Sequence, residues 1–441
     1  MTALKRISIV GIGKLGAPIS ACIASKGFRV IGVDSDRSKV RMLQQSKAPV
    51  SEPGLEKLLG SCRKFLNATE DLERAVLDTD ATFLIVPTPS GKNGLFSTRF
   101  VLEAAGRIGR ALRKKKGWHL VVLVSTVAPG SIDAQLKPCL EKESGKRCGR
   151  EFGLCYNPQF VALGSVIPDF LSPDFILIGQ SDPKSGRLLA GFYKKTCSND
   201  PLIAQMSFVN AELAKISVNT YITTKISFAN MLARICEKLP GANVDVVTGA
   251  LGLDSRIGKK YLRGAVGYGG PCFPRDNVAL AAFAKSIGAP ATLAEATDSF
   301  NRQEICRLAD SVRHKLRKKG SVAILGLAYK PNTDVVEESL GLLLAKALTG
   351  AGIPVSVYDP MAMPGARREL AGRTVRFASS ARDCMRNSAV VVIATAWEEF
   401  RLSPSSFRTH YPSPWVFDCW RILDQQRWSG RSNYLPAGIS C

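Results

Sequence analysis

The run GGPCFPRD, Gly269 to Asp276, sets a cysteine in a turn of two glycines and two prolines, with an arginine and an aspartate close behind. Cys272 brings a nucleophile that serine, alanine or glycine does not supply near neutral pH. The bland reading of the same residues is a buried, inert thiol. Lys215 and Asn219 form a second pair: four residues apart in a stretch of helical spacing, they project from one face. On that spacing alone a solvated Lys/Asn pair is an equal reading. The third constellation is GIGKLG, Gly11 to Gly16, a turn whose glycines let backbone amides approach a phosphate.

The elements around these residues decide which readings hold. Ile7 to Val10 reads as a short buried strand, GIGKLG follows at once and opens an amphipathic stretch through Ser20 to Ser25, and a second strand, Val30 to Val33, ends in Asp34. Strand, glycine turn, helix, strand and acid within about thirty residues is the order of a dinucleotide-binding unit. Gly11 permits the tight turn, Gly13 the approach of a pyrophosphate, and Gly16 close helix packing; Lys14 and Leu15 complete the turn. Asp34 accepts from ribose hydroxyls and repels a 2′-phosphate, so the expected cofactor is NAD rather than NADP, with Arg37 the one residue pulling the other way.

Further strands are expected at Thr82 to Val86, Leu120 to Ser125 and Phe175 to Ile178, which makes a mostly parallel sheet covered by helices on both faces. Two of them end in small polar turns, VPTP and STVAPG, and place Thr88 and Thr126 where ligands of open α/β sheets sit. Ser207 to Glu237 lacks proline and glycine and reads as one long helix, a spine between domains. The last third repeats the opening: a strand at Ser321 to Leu325 runs into GLAYK, and another at Val355 to Tyr358 ends in Asp359. Its turn lacks the third glycine, so it is expected to bind something other than a second dinucleotide.

Bulk properties set the frame. With 441 residues the chain holds two or three domains. The apolar run Ile7 to Ala24 is broken by Gly11, Gly13, Lys14, Gly16 and Pro18, which argues against a signal peptide, and no stretch reaches the ~20 apolar residues of a membrane span; the expected location is cytoplasmic. Twelve scattered cysteines without a Cys-x-x-Cys pair, and three histidines, point away from a metal site or a disulfide framework. The formal charge of +23 is spread along the chain, with short clusters at Arg113 to Lys116 and Arg317 to Lys319 and no nucleic-acid module. An anionic small substrate fits it better than nucleic acid.

Taken in order, GIGKLG, SEPGL (Ser51 to Leu55), Thr88-Pro89, STV (Ser125 to Val127), NPQF (Asn157 to Phe160), Lys215 and Asn219, RIG (Arg256 to Gly258), GYGGPCFPRD and LAYKPNTD (Leu327 to Asp334) resemble the UDP-glucose/GDP-mannose dehydrogenase family over nearly the whole length. The resemblance implies two Rossmann-like, doubly wound parallel-sheet domains joined by a long central helix: 1–200 for NAD, 201–300 for dimerisation, 301–441 for the nucleotide sugar. It implies oxidation of the C6 alcohol of a UDP-sugar to a carboxylate with two NAD in succession. Cys272 would form a thiohemiacetal with the aldehyde and then a thioester that water opens. Lys215 would stabilise oxyanion character, Asn219 would hold the sugar, and Asp276 with Thr126 would position a water. Gln159, Phe160, Arg256, Tyr268, Gly269, Tyr329 and Lys330 would contact the nucleotide sugar, and the glycines would let the backbone crowd it. A homodimer or higher homo-oligomer is implied as well.

The match breaks in places. Where the family has two carboxylates in the loop after Asn-Pro, this chain has Gln159 and Leu163. An amide takes no proton at neutral pH, so either Asp276 carries hydrolysis or the thioester accumulates. Glu337 and DCWR (Asp418 to Arg421) also depart from the family, on the side expected to read the nucleotide sugar; another nucleotide sugar (a UDP-N-acetylhexosamine or GDP-mannose), or a silent binding protein, stays open beside UDP-glucose.

Overall fold

The computed structural model describes residues 4–316, 320–407, 414–428 and 430–440. The basic cluster Arg317 to Lys319 lies outside them. The chain divides into two compact units, Met1–Ser217 and Val218–Cys441.

The first unit holds an eight-stranded sheet: β1 Arg6–Val10, β2 Arg29–Val33, β3 Leu66–Thr69, β4 Ala81–Leu84, β5 Leu120–Leu123, β6 Gly153–Tyr156, β7 Phe175–Gln180 and β8 Leu202–Met206. Their spatial order is β3-β2-β1-β4-β5-β6-β7-β8, with only β6 and β7 antiparallel. The order reverses at β1, between β2 and β4, which creates the crevice beyond the strand ends where such sheets bind ligands. Expected strands fall within a residue or two of the observed ones, but β3, β6 and β8 carry too weak an alternation to be read from sequence. The helix Gly16–Ser25 departs from its expected amphipathic character: Gly16 to Ala24 are all buried. It packs on β1 and β2 on one side and under the helices Leu55–Cys62 and Val166–Leu171 on the other, leaving no wet face.

At the opposite edge from the crevice a buried polar chain ties β1, β4 and β5 together. His119 Nδ1 lies 3.1 Å from the Thr79 carbonyl and Nε2 lies 2.8 Å from Thr82 Oγ1. A carbonyl only accepts, so Nδ1 carries the proton and Nε2 receives the Thr82 hydroxyl; Thr82 Oγ1 then takes the Ser8 hydroxyl, 2.7 Å away. Burial, then the nearby Lys115 charge, pushes the His119 pKa down to about 3. The ring is therefore a neutral structural group.

The second unit repeats the topology. Strands β9 Ser321–Leu325, β10 Val355–Tyr358, β11 Val375–Phe377, β12 Ser388–Ile393, β13 Trp415–Asp418 and β14 Tyr434–Pro436 lie in the order β11-β10-β9-β12-β13-β14, all parallel. Before them come the helices Val244–Leu251, Phe273–Ser286 and Thr292–Lys315. The central helix, Phe208–Cys236, is the one long helix expected from the sequence, and the division between the units falls inside it. No described helix is long and apolar enough to cross a membrane.

Candidate active site

The glycine turn has the form its sequence implies. Gly11 has φ +95°, and a Cβ on Gly16 would stand 1.8 Å from the Gly11 carbonyl, so the helix can start there only on glycine. A Cβ on Gly13 would meet nothing within 4 Å. That open side, over a helix whose first amides carry no side-chain cap, is a cradle for an anion. Lys14 is exposed beside it and Leu15 packs into the core. Asp34 accepts the Ile12 amide at 2.9 Å and the Asp36 amide at 3.0 Å, which leaves lone pairs for ribose hydroxyls. These residues fit NAD.

The two polar turns beyond β4 and β5 are locked to each other and to the central helix. Ser125 Oγ donates to the Val86 carbonyl at 2.6 Å, and Glu212, fully buried, accepts the Gly130 amide at 2.7 Å and the Ile132 amide at 2.9 Å. Burial pushes the Glu212 carboxyl up from its usual range, against the two amides that pull it down. Thr88 is buried and Thr126 half-buried in these turns. Sequence reading did not single out Glu212; a lone acid in an apolar helix stretch was the available signal.

The NPQF loop explains its own departure. Gln159 Nε2 donates to Asn157 Oδ1 at 2.9 Å, to the Asn157 carbonyl at 3.2 Å and to Tyr193 Oη at 3.0 Å, while the Tyr193 hydroxyl donates to Asn157 Oδ1. A carboxylate at 159 would face two acceptors there. Lys215 Nζ donates to the backbone carbonyl of Gln159 at 2.8 Å and sits 4.4 Å from the Phe160 ring centre, so the loop holds this lysine through groups that do not depend on the side chain at 159. Leu163 packs against the core instead of presenting a charge. Glu52, from SEPGL, braces the far end of the loop by accepting the Gly164 amide at 2.8 Å and the Val166 amide at 2.7 Å. Nothing local in the SEPGL run signals this task for Glu52, since the amides it holds lie more than a hundred residues on.

In the second unit Cys272 is exposed at the N-terminus of the helix Phe273–Ser286, where the helix dipole favours negative charge on its side chain. Asp276 lies one turn in and is 1% exposed; Asn219 Nδ2 donates to its Oδ2 at 2.6 Å, and Arg275 Nε stands 3.4 Å from Oδ1. The loop before Cys272 is held on every side. Asn301 accepts the Tyr268 amide at 2.9 Å and donates to the Tyr268 carbonyl at 3.0 Å, and Asn277 donates to the Tyr268 hydroxyl at 2.8 Å. The Gly270 amide donates to the Glu337 carbonyl at 3.0 Å.

Several expected ligand contacts have internal partners. The hydroxyl of Tyr268 is engaged by Asn277. A Cβ on Gly269 would stand 2.1 Å from the Glu338 carbonyl and one on Gly270 2.7 Å from the Tyr329 ring, so these glycines admit protein rather than sugar. Lys330 lies 5.9 Å from the Tyr329 ring centre. Arg256 is exposed and chelated by Asp254, at 2.7 Å from Nη2 and 3.0 Å from Nε, and Lys225 holds the turn by donating to the Ile257 carbonyl at 3.0 Å. The DCWR departure is structural. Arg421 is buried, pairs with Asp245 at 2.7 Å and donates to the carbonyls of Ala437 and Gly264, while Asp418 accepts the amides of Ile422 and Leu423 and the Tyr434 hydroxyl.

The second glycine turn also acquires a physical account. The third glycine exists but is displaced: a Cβ on Gly341 would stand 1.9 Å from the Gly326 carbonyl, repeating Gly16 on Gly11. Asp359, the counterpart of Asp34, accepts from the Leu327, Ala328, Met361 and Ala362 amides and from Trp397 Nε1, all within 3.1 Å, and is 1% exposed. Five donors leave it no capacity for a ribose. The expectation that this turn takes no second dinucleotide follows from that saturation.

Comparison with known proteins completes the site. The NAD-binding, central and UDP-binding domain models of the UDP-glucose/GDP-mannose dehydrogenase family match residues 5–197, 209–303 and 323–425. The chain is 37% identical over 405 residues, 91% of its own length and 93% of the relative's, to UDP-glucose 6-dehydrogenase AglM of Haloferax volcanii. It is 36% identical over 359 residues, 80% of its length and 81% of the relative's, to GDP-mannose 6-dehydrogenase of Azotobacter vinelandii. Among solved structures, a UDP-glucose dehydrogenase from Pyrobaculum islandicum superposes with a TM-score of 0.90 at 34% identity, covering 99% of this chain and 98% of that one.

Proposed function

Because the chain belongs to the UDP-glucose/GDP-mannose dehydrogenase family and is an NAD-dependent nucleotide-sugar dehydrogenase, we propose that its substrate is UDP-glucose, oxidised at C6 to UDP-glucuronate. The observation that carries this reading is the pairing of an exposed Cys272 at a helix N-terminus with a buried Asp276 one turn behind it, in a chain matched along 91% of its length by a UDP-glucose 6-dehydrogenase.

When bound, NAD accepts the hydride that leaves C6 in each of the two oxidations. The chain's own residues do the rest. The Cys272 thiol adds to the C6 aldehyde, giving a thiohemiacetal whose remaining C6 hydrogen can leave as hydride, and the resulting thioester is opened by water to the carboxylate and the free thiol. Lys215 offsets negative charge on the C6 oxygen, and Asn219 fixes Asp276 through its Oδ2. Asp276 is the base for the hydrolytic water, a task left to it by Gln159 and Leu163; Thr126 assists in holding that water. Arg256, Tyr329 and Lys330 contribute to holding the nucleotide sugar.

We assign a homodimer on the same grounds. Tyr221, Phe228 and Ile235 recur every seven residues on the central helix, with Met231 beside them, and all four are exposed. A second copy laying the same stripe against this one buries it. No disulfide joins the described cysteines, which suits a cytoplasmic setting.

The test is kcat/KM for UDP-glucose, UDP-N-acetylhexosamines and GDP-mannose with NAD. UDP-glucose is expected to exceed the others by at least about a hundredfold, since each lost polar contact costs on the order of 1–3 kcal/mol. A preference for GDP-mannose, the reading favoured by the relative from Azotobacter vinelandii, would replace the proposed substrate.

A further inference from the structure

The adenosine end of the cofactor site carries charges that the glycine turn does not explain. β2 and β3 are parallel neighbours with Val33 opposite Thr69, so the residues that follow, Asp34 and Glu70, leave the sheet side by side where a dinucleotide's ribose is read. Arg37 opens the helix Arg37–Gln44 after β2, and its Nε lies 3.0 Å from Glu70 Oε2. Lys39 on the same helix faces Asp36 at 3.6 Å, and Asp36 caps the helix by accepting the Ser38 amide at 2.9 Å. The cation best shaped for a 2′-phosphate is thus already paired, and carboxylates flank the place such a phosphate would occupy.

We propose that Glu70 is a specificity-determining residue, which refuses NADP by holding Arg37 away from the 2′-phosphate and by adding its own charge to that of Asp34. A free guanidinium binds phosphate through two parallel hydrogen bonds, so an unpaired Arg37 would offset part of the repulsion from Asp34. Arg37 is 81% exposed, and a pair in that setting is weak and screened by salt. Asp34 therefore sets the larger part of the preference and Glu70 a smaller, salt-dependent part.

This inference rests on the reading of the first unit as the NAD site, and its test needs no sugar turnover. Binding of NADH and NADPH to the full chain is followed by nicotinamide fluorescence in the unaltered protein, Glu70→Gln, Arg37→Ala and the double variant. Glu70→Gln is expected to lower the NADPH-to-NADH ratio of Kd roughly five- to tenfold at low salt, with less effect at high salt. Adding Arg37→Ala should reverse that gain, whereas Arg37→Ala alone should move the ratio less than about twofold. An unchanged ratio in Glu70→Gln, or an equal effect of Arg37→Ala with and without Glu70, overturns the proposal. Failure of the unaltered chain to bind NADH would overturn the cofactor reading itself, and it shows before any substitution is made.

Discussion

Gln159 shows how a single position misleads when only its type is known. From sequence it reads as the loss of a carboxylate, whereas its amide donates to two Asn157 oxygens and to Tyr193, a set of contacts that a carboxylate cannot make. Restoring the family residue is therefore expected to damage the loop: Gln159→Glu should cost about 1–3 kcal/mol of stability and should not raise kcat. Thermal unfolding and steady-state rates check this, and a faster, equally stable variant would contradict it. Cys272 behaves otherwise, since its role depends on its own sulfur. Cys272→Ala should cut UDP-glucuronate formation by at least about a thousandfold while NADH affinity stays within about twofold, measured by product analysis and fluorescence titration. Both residues were legible as candidates; what Gln159 does was not, because Tyr193 reaches it only through the fold and the turn that aims its amide at Asn157 is not written in the residue types.

At the scale of elements, the first glycine turn was readable because everything it needs is local: Gly11, Gly16 and Asp34 lie within one strand-helix-strand unit. The second was half-readable. Its close-packing glycine, Gly341, comes after an inserted loop, and Asp359 looks like a ribose acid until its five donors are counted. The bracing carboxylates Glu52 and Glu212 were missed for the same reason, as both hold backbone amides far away in sequence. The His119 chain makes a prediction about the sheet itself. Its pKa falls from an unfolded value near 6.5 to about 3, so the folded state binds fewer protons, and the stability this ring contributes above the unfolded value is lost as pH drops toward 3. Denaturant unfolding between pH 7 and 4 should show stability falling by up to about 1.4 kcal/mol per pH unit below 6 from this group. His119→Gln keeps a donor and an acceptor and should flatten that slope; an unchanged slope would show that the ring does not titrate on unfolding.

At the scale of the molecule, the chain uses one topology twice and gives the two copies different work. Both sheets run 3-2-1-4-5-6 through their first six strands, yet one acid is open for a ribose and the other is closed by Trp397 and four amides. Alternation of strands and helices made the two-sheet plan visible in the sequence, while the edge strands and the outward stripe of the central helix needed the structure. That stripe predicts assembly: light scattering should give the mass of two copies or a multiple, and Phe228→Glu should shift it toward one. A single-copy mass for the unaltered chain would contradict the dimer. The claim on which the functional account turns is that one exposed thiol and one buried carboxylate complete a four-electron oxidation without the loop carboxylates. The most direct measurement is NADH formed per UDP-glucose at limiting sugar, with the quenched protein weighed intact. Two NADH per sugar and an unmodified Cys272 are predicted. One NADH per protein, with a hexuronyl adduct on Cys272, would contradict the account by showing that Asp276 does not suffice for hydrolysis.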